Sequence, residues 1–398
     1  MSATLLAPAD EAGVAAAVAA ATAAREPLAI DGRGTKRALL RPVQAARTLS
    51  TRNLTGITLY RPTELVISAR AGTPLPEIEA ALAEGGQMLA PEPPDTRAIF
   101  GGDVPATIGG IVAANLSGPR RITVGAMRDH LLGIRFVNGA GEVVRSGGRV
   151  LKNVTGLDLC KLLAGSHGTL GVLTEVTLKV LPRAETSATL AIRVPDIAAG
   201  VRALSAGLGS PYGATGAALL PAGHGALAGP VALLRIEDFA TSVAYRTGKL
   251  AVDLAPHGEA RLLEAAESAP LWTAIRDATP LAAAAAAGEA VWRVSVRPSA
   301  APAVVAAATA LGGRCLLDWG GGLIWIAGPA TEAAHAAVVA AAGAARGTFT
   351  LFRAPEPLRA AVAVLPEEPP ALVAIGARVK AALDPAGVFN PGRMRAGL

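Results

Sequence analysis

The sequence predicts an α+β protein in two parts, a glycine-rich first part and a second part built on an antiparallel sheet. Its 398 residues exceed what a single hydrophobic core usually organises. Glycine-rich turns follow short strands in the first half, and beyond Glu185 strand-like runs alternate with alanine-rich helical segments. We therefore expect a first domain over residues 1–185, a second over residues 186–370, and a tail over residues 371–398.

Short strands and turns organise the first half of the chain. Leu28 to Ile30 is typical of a short buried strand, and it runs directly into the turn Asp31-Gly32-Arg33-Gly34-Thr35. Leu65 to Arg70 predicts a second strand. Gly72-Thr73-Pro74 then starts a helix, with the threonine as its cap, and Gly85-Gly86 ends it.

A loop, a short helix and a second group of strands follow. Ala90 to Pro105 is rich in Pro, Asp and Gly and predicts an irregular loop, after which Thr107 to Asn115 predicts a short helix. Leu131 to Asn138 and Glu142 to Arg145 flank a turn sequence and predict a hairpin. Val172 to Leu181 alternates apolar with polar residues, which indicates a half-solvated antiparallel strand.

The second half contains several strand-like runs separated by helical segments. These runs are Ala188 to Val194, Val231 to Ile236, Val291 to Arg297, Arg314 to Trp319, Leu323 to Ala327 and Thr348 to Arg353. The later ones follow the order strand, helix, two strands, helix, strand, which is the ferredoxin-like pattern. The earlier ones predict a partial copy of the same unit.

The charge and hydropathy of the chain exclude some partners. Lysine and arginine number 37 against 31 acidic residues, a net charge of +6, but the positive residues are scattered and form no nucleic-acid patch. The most apolar stretches, Val14 to Ala24 and Ala303 to Gly313, are shorter than the roughly 20 residues that span a bilayer. We expect no membrane span, with peripheral attachment through partners left open.

Cysteines and the N-terminal residues bear on location. Cys160 and Cys315 are too few for a disulfide framework or for the four thiolates of an ordinary iron–sulfur cluster. No basic residue precedes Arg25, whereas a secretory signal begins with positive charge. A cytoplasmic location is expected, with association at the inner face of the cell membrane left open.

Three glycine-bearing segments carry the chemical prediction. They are Asp31 to Thr35, Thr107 to Gly118 and Gly165 to Gly171. Glycine admits positive φ and exposes successive N–H groups, which together form an anion-binding concavity suited to the pyrophosphate of a dinucleotide. No G-x-G-x-x-G follows a strand, and Thr247-Gly248-Lys249-Leu250 lacks the flanking residues of a Walker loop. An ordinary Rossmann site and a P-loop are therefore not supported.

These motifs resemble a known family. Gly109 to Gly118, Arg128-Asp129, Lys152-Asn153-Val154-Thr155-Gly156 and the run GSHGTLGVLTEVTLKVLP from Gly165 to Pro182 look like the signature of the FAD-binding domain of vanillyl-alcohol-oxidase-type flavoenzymes. Thr63 to Val66, Ala71 to Leu75, Leu116 to Arg121 and Asp384 to Arg393 are closer still to the FAD-binding subunits of bacterial glycolate oxidases. The resemblance covers Leu28 to Arg183 and the tail.

The resemblance implies a fold, a cofactor and site residues. The fold is a PCMH-type two-part FAD-binding domain followed by an antiparallel-sheet, ferredoxin-like cap domain, with a tail that returns to the FAD domain. Gly32, Gly34, Thr35, Gly109, Gly110 and Asn115 would hold the pyrophosphate; Gly118, Arg128 and Asp129 would line the flavin cleft; Gly165, Gly168, Gly171 and Val172 would approach the adenosine half; and Arg393 would help close the cavity from the tail.

Two departures from the family pattern affect local contacts. Arg33 stands where the family usually has a third glycine, and Leu157 stands where a tyrosine is common. Lys36 follows Thr35, and no His or Cys occurs in the first loop, so a covalent flavin link there has no candidate. We expect noncovalent FAD and no metal.

Several conspicuous residues have plain structural interpretations. His130 and His167 could each face the flavin, but a hydrogen-bonded loop histidine is the favoured interpretation. Cys160 is expected to be a buried small side chain. The four tryptophans, Trp272, Trp292, Trp319 and Trp325, are expected to be core or interface residues rather than cofactor stackers.

The second half lacks the paired histidines that family members acting alone on 2-hydroxy acids usually carry. His224, His257 and His335 are its only histidines, and none stands in a paired arrangement. A catalytic base must reach the proton that it removes. The sequence thus predicts that the substrate site is absent or degraded and leaves the catalytic residues unknown.

Three functions remain open at this stage. The first is an FAD-binding subunit of a glycolate oxidase or dehydrogenase complex, in which a homologous FAD-containing catalytic subunit oxidises glycolate to glyoxylate and an iron–sulfur subunit passes electrons on; these partners are implied by the resemblance. The second is a stand-alone FAD-dependent 2-hydroxy-acid dehydrogenase. The third is a non-catalytic assembly subunit, against which the intact Gly109-Gly110 and Gly165 to Gly171 segments argue.

Overall fold

The computed structural model describes residues 4–149 and 156–397, which form 20 strands and 15 α-helices. The Lys152-Asn153-Val154-Thr155 part of the family signature lies outside the described residues. The longest helix has 15 residues. In the part of the chain that is described, no helix is long and apolar enough to cross a membrane.

A three-stranded parallel sheet begins the fold. Its strands are β1 (Thr4–Leu6), β2 (Leu28–Asp31) and β3 (Arg47–Ser50), with helix α1 (Glu11–Ala24) after β1. The sheet order is β1-β3-β2. Helix α1 begins where Asp10 accepts a 2.7 Å hydrogen bond from Gly13 N. Its buried residues Val14 and Val18 pack in a core cluster that also holds Leu28 and Phe389.

A five-stranded antiparallel sheet completes the first half. The elements are β4 (Ile57–Arg61), β5 (Val66–Arg70), α2 (Leu75–Glu84), β6 (Gln87–Met88), α3 (Arg97–Phe100), α4 (Ile108–Ala113), α5 (Arg121–Val124), α6 (Met127–His130), β7 (Leu131–Val137), β8 (Val143–Gly147), α7 (Leu159–Leu163), β9 (Val172–Lys179) and β10 (Leu181–Pro182). The sheet order is β4-β5-β9-β7-β8. The predicted hairpin and the alternating strand are both confirmed.

One predicted cap is wrong. Helix α2 has Pro74 as its N-cap, with no side-chain cap hydrogen bond. The buried hydroxyl of Thr73 instead donates to Arg70 O at 2.7 Å and accepts from Gly56 N at 3.0 Å. It therefore fixes the turn after β5 rather than the start of the helix.

The second half is one eight-stranded sheet made of two ferredoxin-like units. Its elements are β11 (Thr186–Arg193), α8 (Ile197–Gly209), β12 (Gly216–Leu220), β13 (Gly223–His224), β14 (Leu227–Ala228), β15 (Val231–Asp238), α9 (Ala240–Leu254), β16 (Ala260–Leu263), α10 (Ala265–Arg276), α11 (Ala283–Ala286), β17 (Ala290–Ser295), α12 (Ala301–Ala310), β18 (Arg314–Asp318), β19 (Leu323–Gly328), α13 (Glu332–Ala344) and β20 (Thr348–Arg353). Strands order as β16-β11-β15-β12-β18-β19-β17-β20. The ferredoxin-like prediction is confirmed.

The first of these units is complete, not partial. Strands β12 and β16 supply its missing members, and β12 joins the two units edge to edge through the pairing of Leu219 with Leu317. All five residues of β12 are buried. Its sequence, Gly-Ala-Ala-Leu-Leu, has no β-branched residue and no alternation, so tertiary burial rather than local propensity makes it a strand.

The tail places its last residues against the first sheet. After α14 (Glu356–Ala361) and α15 (Pro370–Leu383), Phe389 pairs in parallel with Leu28. Leu28 N donates to Val388 O at 2.8 Å, and Asn390 N donates to Leu28 O at 3.0 Å. The tail thus extends the β2 edge, beside the loop that carries Gly32 and Gly34.

Candidate functional site

A cleft of about 470 Å³ opens where the glycine-bearing segments meet. Thr48 of β3 and Glu356 and Arg359 of α14 face it. Its other walls are the loop after β2, the start of α4, the loop after α7, the start of β9 and the end of the tail. These five segments are far apart in sequence but converge because β2, β9 and the tail pack around the same core cluster.

The loop after β2 forms one wall of the cleft. Gly34 has φ of 73°, a conformation that side chains beyond glycine rarely adopt. A Cβ on Gly32 would collide with the side chain of Thr107. The hydroxyl of Ser50 donates a hydrogen bond to Gly32 O and so holds the loop against β3. The backbone of this loop can therefore approach a ligand closely.

Helix α4 presents its first turn to the same space. Thr107 caps the helix by accepting a 3.2 Å hydrogen bond from Gly110 N. Gly109 lies against Ala71, where its N–H donates to Ala71 O at 2.9 Å and leaves no room for a side chain. A Cβ on Gly110 would lie 3.4 Å from Lys36 Nζ. Gly110 therefore leaves the space beside the Lys36 ammonium group open.

Asn390 holds three segments of the cleft together. Its Oδ1 accepts from Ile30 N at 2.7 Å, and its Nδ2 donates to His167 O at 2.8 Å. A Cβ on Gly168 would lie 2.8 Å from that same Nδ2, so the loop after α7 must have glycine there. The tail therefore fixes the distance between β2 and this loop.

The cleft is positively charged. Lys36 Nζ has a single hydrogen bond among the described residues, at 3.3 Å to Thr35 Oγ1, and no carboxylate partner there. Burial, with added repulsion from Arg393, lowers the pKa of Lys36 to about 8. Arg393 lines the cleft, and its guanidinium donates to Lys36 O at 2.7 Å and Arg37 O at 3.1 Å. It braces the loop that carries Lys36.

His167 is a neutral group in this cleft. Burial and the charges of Arg393 and Lys36 lower the pKa of His167 to about 3. Its backbone has φ of 52°, and its N–H donates to Ala113 O at 2.8 Å. His130, by contrast, is buried with Nε2 2.9 Å from Val124 O, so its role is structural.

An elongated anionic ligand with hydroxyl groups fits the residues present. Within the described part of the chain, Lys36 is a cation without a counterion and Asp31 Oδ1 is a buried acceptor without a hydrogen-bond partner, and the glycines leave space that a Cβ would fill. The phosphates of a dinucleotide would satisfy the first two features, and a ribose hydroxyl would satisfy the third.

Nine of the fourteen predicted site residues line this cleft. They are Gly32, Gly34, Thr35, Gly109, Gly110, Gly168, Gly171, Val172 and Arg393. Asn115 and Gly165 lie together at the far end of α4, where a Cβ on Gly165 would be 3.5 Å from Asn115 Cβ. Gly118, Arg128 and Asp129 lie further along, and the last two form an exposed ion pair of 3.7 Å.

Sequence reasoning missed Lys36, Thr107 and Asn390 as lining residues. Lys36 directly follows the glycine loop, and Asn390 stands in the Asn-Pro-Gly-Arg segment of the tail, so both carried a signal by position. Their contacts, however, join residues more than 70 or 200 positions apart, which no local pattern reports.

The tryptophans and the cysteine that were expected to be structural are mostly buried. Trp272 Nε1 donates to Thr189 Oγ1 at 2.7 Å, and Trp292 Nε1 donates to His335 Nδ1 at 3.1 Å. Cys160 is buried, as predicted, and burial raises the pKa of its thiol. No group of three or more His, Cys, Asp or Glu side chains suited to a metal occurs within residues 4–149 and 156–397.

Comparisons with known proteins agree with this fold. The FAD-binding domain family model matches residues 2–147. The chain is 38% identical over 379 residues to glycolate oxidase subunit GlcE of Escherichia coli (strain K12), covering 94% of each protein. It is 39% identical over 100 residues to glycolate oxidase subunit GlcD of Bacillus subtilis (strain 168), covering 25% of this chain and 21% of GlcD.

The fold is also present in solved structures. p-Cresol methylhydroxylase with substrate bound matches with a TM-score of 0.74 at 13% identity, covering 98% of this chain and 88% of that chain. At this identity the likeness concerns the fold alone, and it confirms the predicted PCMH-type architecture.

Proposed function

Since this chain belongs to the family of FAD-binding glycolate oxidase subunits, we propose that it acts as one flavin-bearing subunit of a complex that oxidises glycolate to glyoxylate. Its cofactor is FAD. The observation that carries the proposal is the likeness to GlcE, which spans 94% of both chains and so reaches well beyond the FAD-binding half.

The cleft residues have defined tasks in this proposal. FAD supplies the acceptor for the two electrons that glycolate loses, together with two protons, on becoming glyoxylate. Lys36 Nζ and the backbone N–H groups of the loop from Gly32 to Thr35 would hold the pyrophosphate, while Arg393 and Asn390 keep the loops that surround it in place. Retention is noncovalent, because the loop residues that line the cleft bind through charge and backbone N–H groups.

The remaining partners are a homologous FAD-containing catalytic subunit and an iron–sulfur subunit that takes electrons onward. Support for the first comes from the similarity to GlcD, a protein that is also described as a glycolate oxidase subunit. The iron–sulfur subunit follows from the family resemblance, and association with the membrane would then occur through these partners.

The test is an absorbance spectrum of the purified chain before and after anaerobic glycolate, alone and mixed with its partner subunits. We expect a flavin spectrum that glycolate bleaches only in the mixture. Bleaching in the isolated chain would replace the proposal with a stand-alone 2-hydroxy-acid dehydrogenase. No flavin, with complex assembly intact, would replace it with an assembly role.

Gly110→Arg is the matched variant for the cofactor assignment. Its side chain would occupy the space beside Lys36 Nζ, where Gly110 now leaves the cleft open. We expect a folded chain, by circular dichroism, that retains no flavin. A normal flavin content in this variant would contradict the pyrophosphate assignment and leave the family membership untouched.

A further inference from the structure

Helix α14 contacts the loop after β2 just beyond the end of the cap sheet. Strand β20 is the last strand of that sheet, and α14 begins soon after it at Glu356. Arg359 of this helix is buried, and both residues line the cleft. A segment that follows the cap sheet thus forms part of the wall around the FAD-binding cleft.

The guanidinium group of Arg359 holds the loop after β2 from its position on α14. Its Nε donates to Ala354 O at 2.9 Å, and its Nη1 donates to Leu40 O at 2.9 Å. Leu40 is fully buried and has φ of 59°, a conformation that leucine rarely adopts, so this turn depends on contacts that hold it. One planar fork of donors therefore ties the chain before α14 to the loop that carries Lys36.

The loop contacts α14 in return through Arg41. Its Nη1 donates to Val362 O at 3.1 Å, and its Nη2 donates to Ala360 O at 2.8 Å. These carbonyls lie at the C-terminal end of α14, where helix carbonyls lack intrahelical donors and a cation is favoured. The loop and the helix are therefore joined by one arginine from each side.

Arg359 shares a carbonyl with Arg393 of the tail. Arg37 O accepts from Arg359 Nη1 at 3.4 Å and from Arg393 Nη1 at 3.1 Å. Burial, with added repulsion from Arg359, lowers the pKa of Arg393 to about 10. Within the described part of the chain, every hydrogen bond of these two guanidinium groups goes to a backbone carbonyl. Both side chains thus fix the course of the loop.

We propose that Arg359 is a positioning residue for the cofactor, because it holds the loop that carries Lys36 in the conformation that binds FAD. Among the described residues, Lys36 Nζ has one hydrogen bond, at 3.3 Å to Thr35 Oγ1, and Thr35 belongs to the same loop. The place of the ammonium group therefore depends on how the loop backbone is held. Without the Arg359 fork, Leu40 O loses its donor and Lys36 is free to move away from the pyrophosphate.

Arg359 acts through the loop and takes no part in electron transfer. The inference rests on FAD as the cofactor and not on the oxidation of glycolate. Its failure and the failure of the proposed function are therefore separate results.

The experiment measures two quantities on the flavin-free chain: the Kd for FAD by fluorescence titration, and the free energy of unfolding by urea denaturation. The variants are Arg359→Met, Arg359→Lys, Lys36→Met, and the combination of Lys36→Met with each Arg359 variant. Arg359→Lys keeps the charge but loses the fork of donors. Arg353→Met is the matched control, because Arg353 also donates to two backbone carbonyls, Ala284 O and Ala285 O at 3.0 Å each, but does not line the cleft.

We expect Arg359→Met and Arg359→Lys each to raise the Kd for FAD about tenfold. Arg353→Met should lose a similar free energy of unfolding to Arg359→Met and keep the Kd within about twofold of wild type. In the Arg359→Met background, Lys36→Met should weaken FAD binding clearly less than it does in the wild-type chain, because the lysine is no longer held in place. A merely structural role of Arg359 would not produce this coupling.

Additive effects of Lys36→Met and Arg359→Met on FAD binding would overturn the inference. Wild-type affinity in Arg359→Lys would also overturn it, since the charge alone would then be sufficient. Equal weakening by Arg353→Met and Arg359→Met would attribute the effect to lost stability and contradict the inference as well. If Arg359→Met does not fold, Arg359→Lys with and without Lys36→Met provides the same comparison. If FAD binding follows these expectations but the assembled subunits do not oxidise glycolate, the proposed function fails and the inference stands.

Discussion

Lys36 shows how single residues of the cleft are placed for a ligand rather than for the stability of the empty chain. Its ammonium group lies inside the cleft with one 3.3 Å hydrogen bond to Thr35 and no carboxylate partner among the described residues. Withdrawing a cation from water without pairing it costs free energy. That cost is offset when an anion binds, so the side chain lowers the stability of the ligand-free chain and raises its affinity for an anion.

Replacing Lys36 by methionine tests both effects of this lysine. We expect Lys36→Met to weaken FAD binding by about 2 kcal/mol, roughly 30-fold in Kd, because one charge-assisted bond to the pyrophosphate is lost. The melting temperature of the flavin-free chain should stay the same or rise. Fluorescence titration with FAD and thermal unfolding of the apo chain measure the two effects.

Lys249→Met is the control for Lys36→Met, since Lys249 is an exposed lysine on α9. It should leave the Kd for FAD unchanged. Equal FAD affinity in the wild type and Lys36→Met would contradict the assignment of this lysine to the pyrophosphate.

Asp318 is a second residue whose environment sets a measurable pH dependence. Burial, reinforced by the charge of Glu92 and opposed by Arg235 and Arg293, raises its pKa from 3.8 to about 7. Between these values the unfolded chain releases the proton and the folded chain keeps it. The contribution of Asp318 to wild-type stability therefore falls as the pH rises from about 4 to 7 and levels off above 7.

Asp318→Asn removes this proton while its side-chain oxygen can still accept from Trp319 N. We expect the melting temperature of the variant relative to wild type to increase by roughly 2 °C between pH 4.5 and pH 8, because only the wild type has to ionise a buried group or retain a proton against the solvent. Differential scanning calorimetry at both pH values measures it. A constant difference between the two proteins would show that Asp318 is not protonated in the folded chain near neutral pH.

At the scale of elements, the tail fixes the positions of two segments that line the cleft. Phe389 extends the first sheet at β2, and Asn390 then contacts both Ile30 and the loop that carries His167. Helix α15, in contrast, has no buried residue. The last turn of the helix still contacts the FAD-binding half, because Lys380 donates to Thr169 O at 2.7 Å and Leu383 O accepts from Gly139 N at 2.7 Å. The end of the helix and the segment after it thus hold the tail in place together.

Asn390→Asp tests this role of the tail with a side chain of the same shape. The replacement keeps an acceptor for Ile30 N but sets an oxygen against His167 O, where Nδ2 now donates at 2.8 Å. We expect a loss of about 2 kcal/mol in stability and weaker retention of FAD. Asn53→Asp is the matched control, because its amide donates to Ala7 O at 2.7 Å in an exposed setting. Equal loss in both variants would remove any special role for Asn390.

Elements were predictable from sequence where local pattern and tertiary burial agree. The alternating residues of β9 and the glycines of the Gly165 to Gly171 turn are visible in the local sequence. Both elements lie where they were expected. Strand β12 could not be predicted in this way, because it is buried on both faces and its sequence therefore does not alternate between apolar and polar residues. The glycines of the cleft could be predicted as a group, but Lys36 acquires its role only from its approach to Gly110, 74 positions away.

At the scale of the whole molecule, the two halves are joined by a buried charge network that no sequence pattern indicates. Glu92 and Arg120 come from the FAD-binding half, Arg235 and Glu237 from the cap. Burial alone would raise the pKa of Glu237, but hydrogen bonding from Arg120 and the charges of both arginines lower it to about 2. The network stays ionised at physiological pH and links the cap to the FAD-binding half.

A double-mutant cycle on Glu92 and Arg235 measures this coupling. Arg235 has 3% and Glu92 12% of its side chain exposed. Glu92→Gln or Arg235→Met alone should cost about 2 kcal/mol of unfolding free energy, since each breaks a buried ion pair whose remaining member keeps one other partner, Arg120 for Glu92 and Glu237 for Arg235. The double variant should cost clearly less than the sum, by urea denaturation followed by circular dichroism.

Arg193 and Glu259 provide the comparison, because they form a 3.8 Å ion pair with 71% and 84% of their side chains exposed. The same cycle on that pair should give no measurable coupling, since water and salt screen exposed charges. If the Glu92–Arg235 cycle is also additive, the network contributes nothing to joining the halves, and the apolar core that runs through both must position the cap.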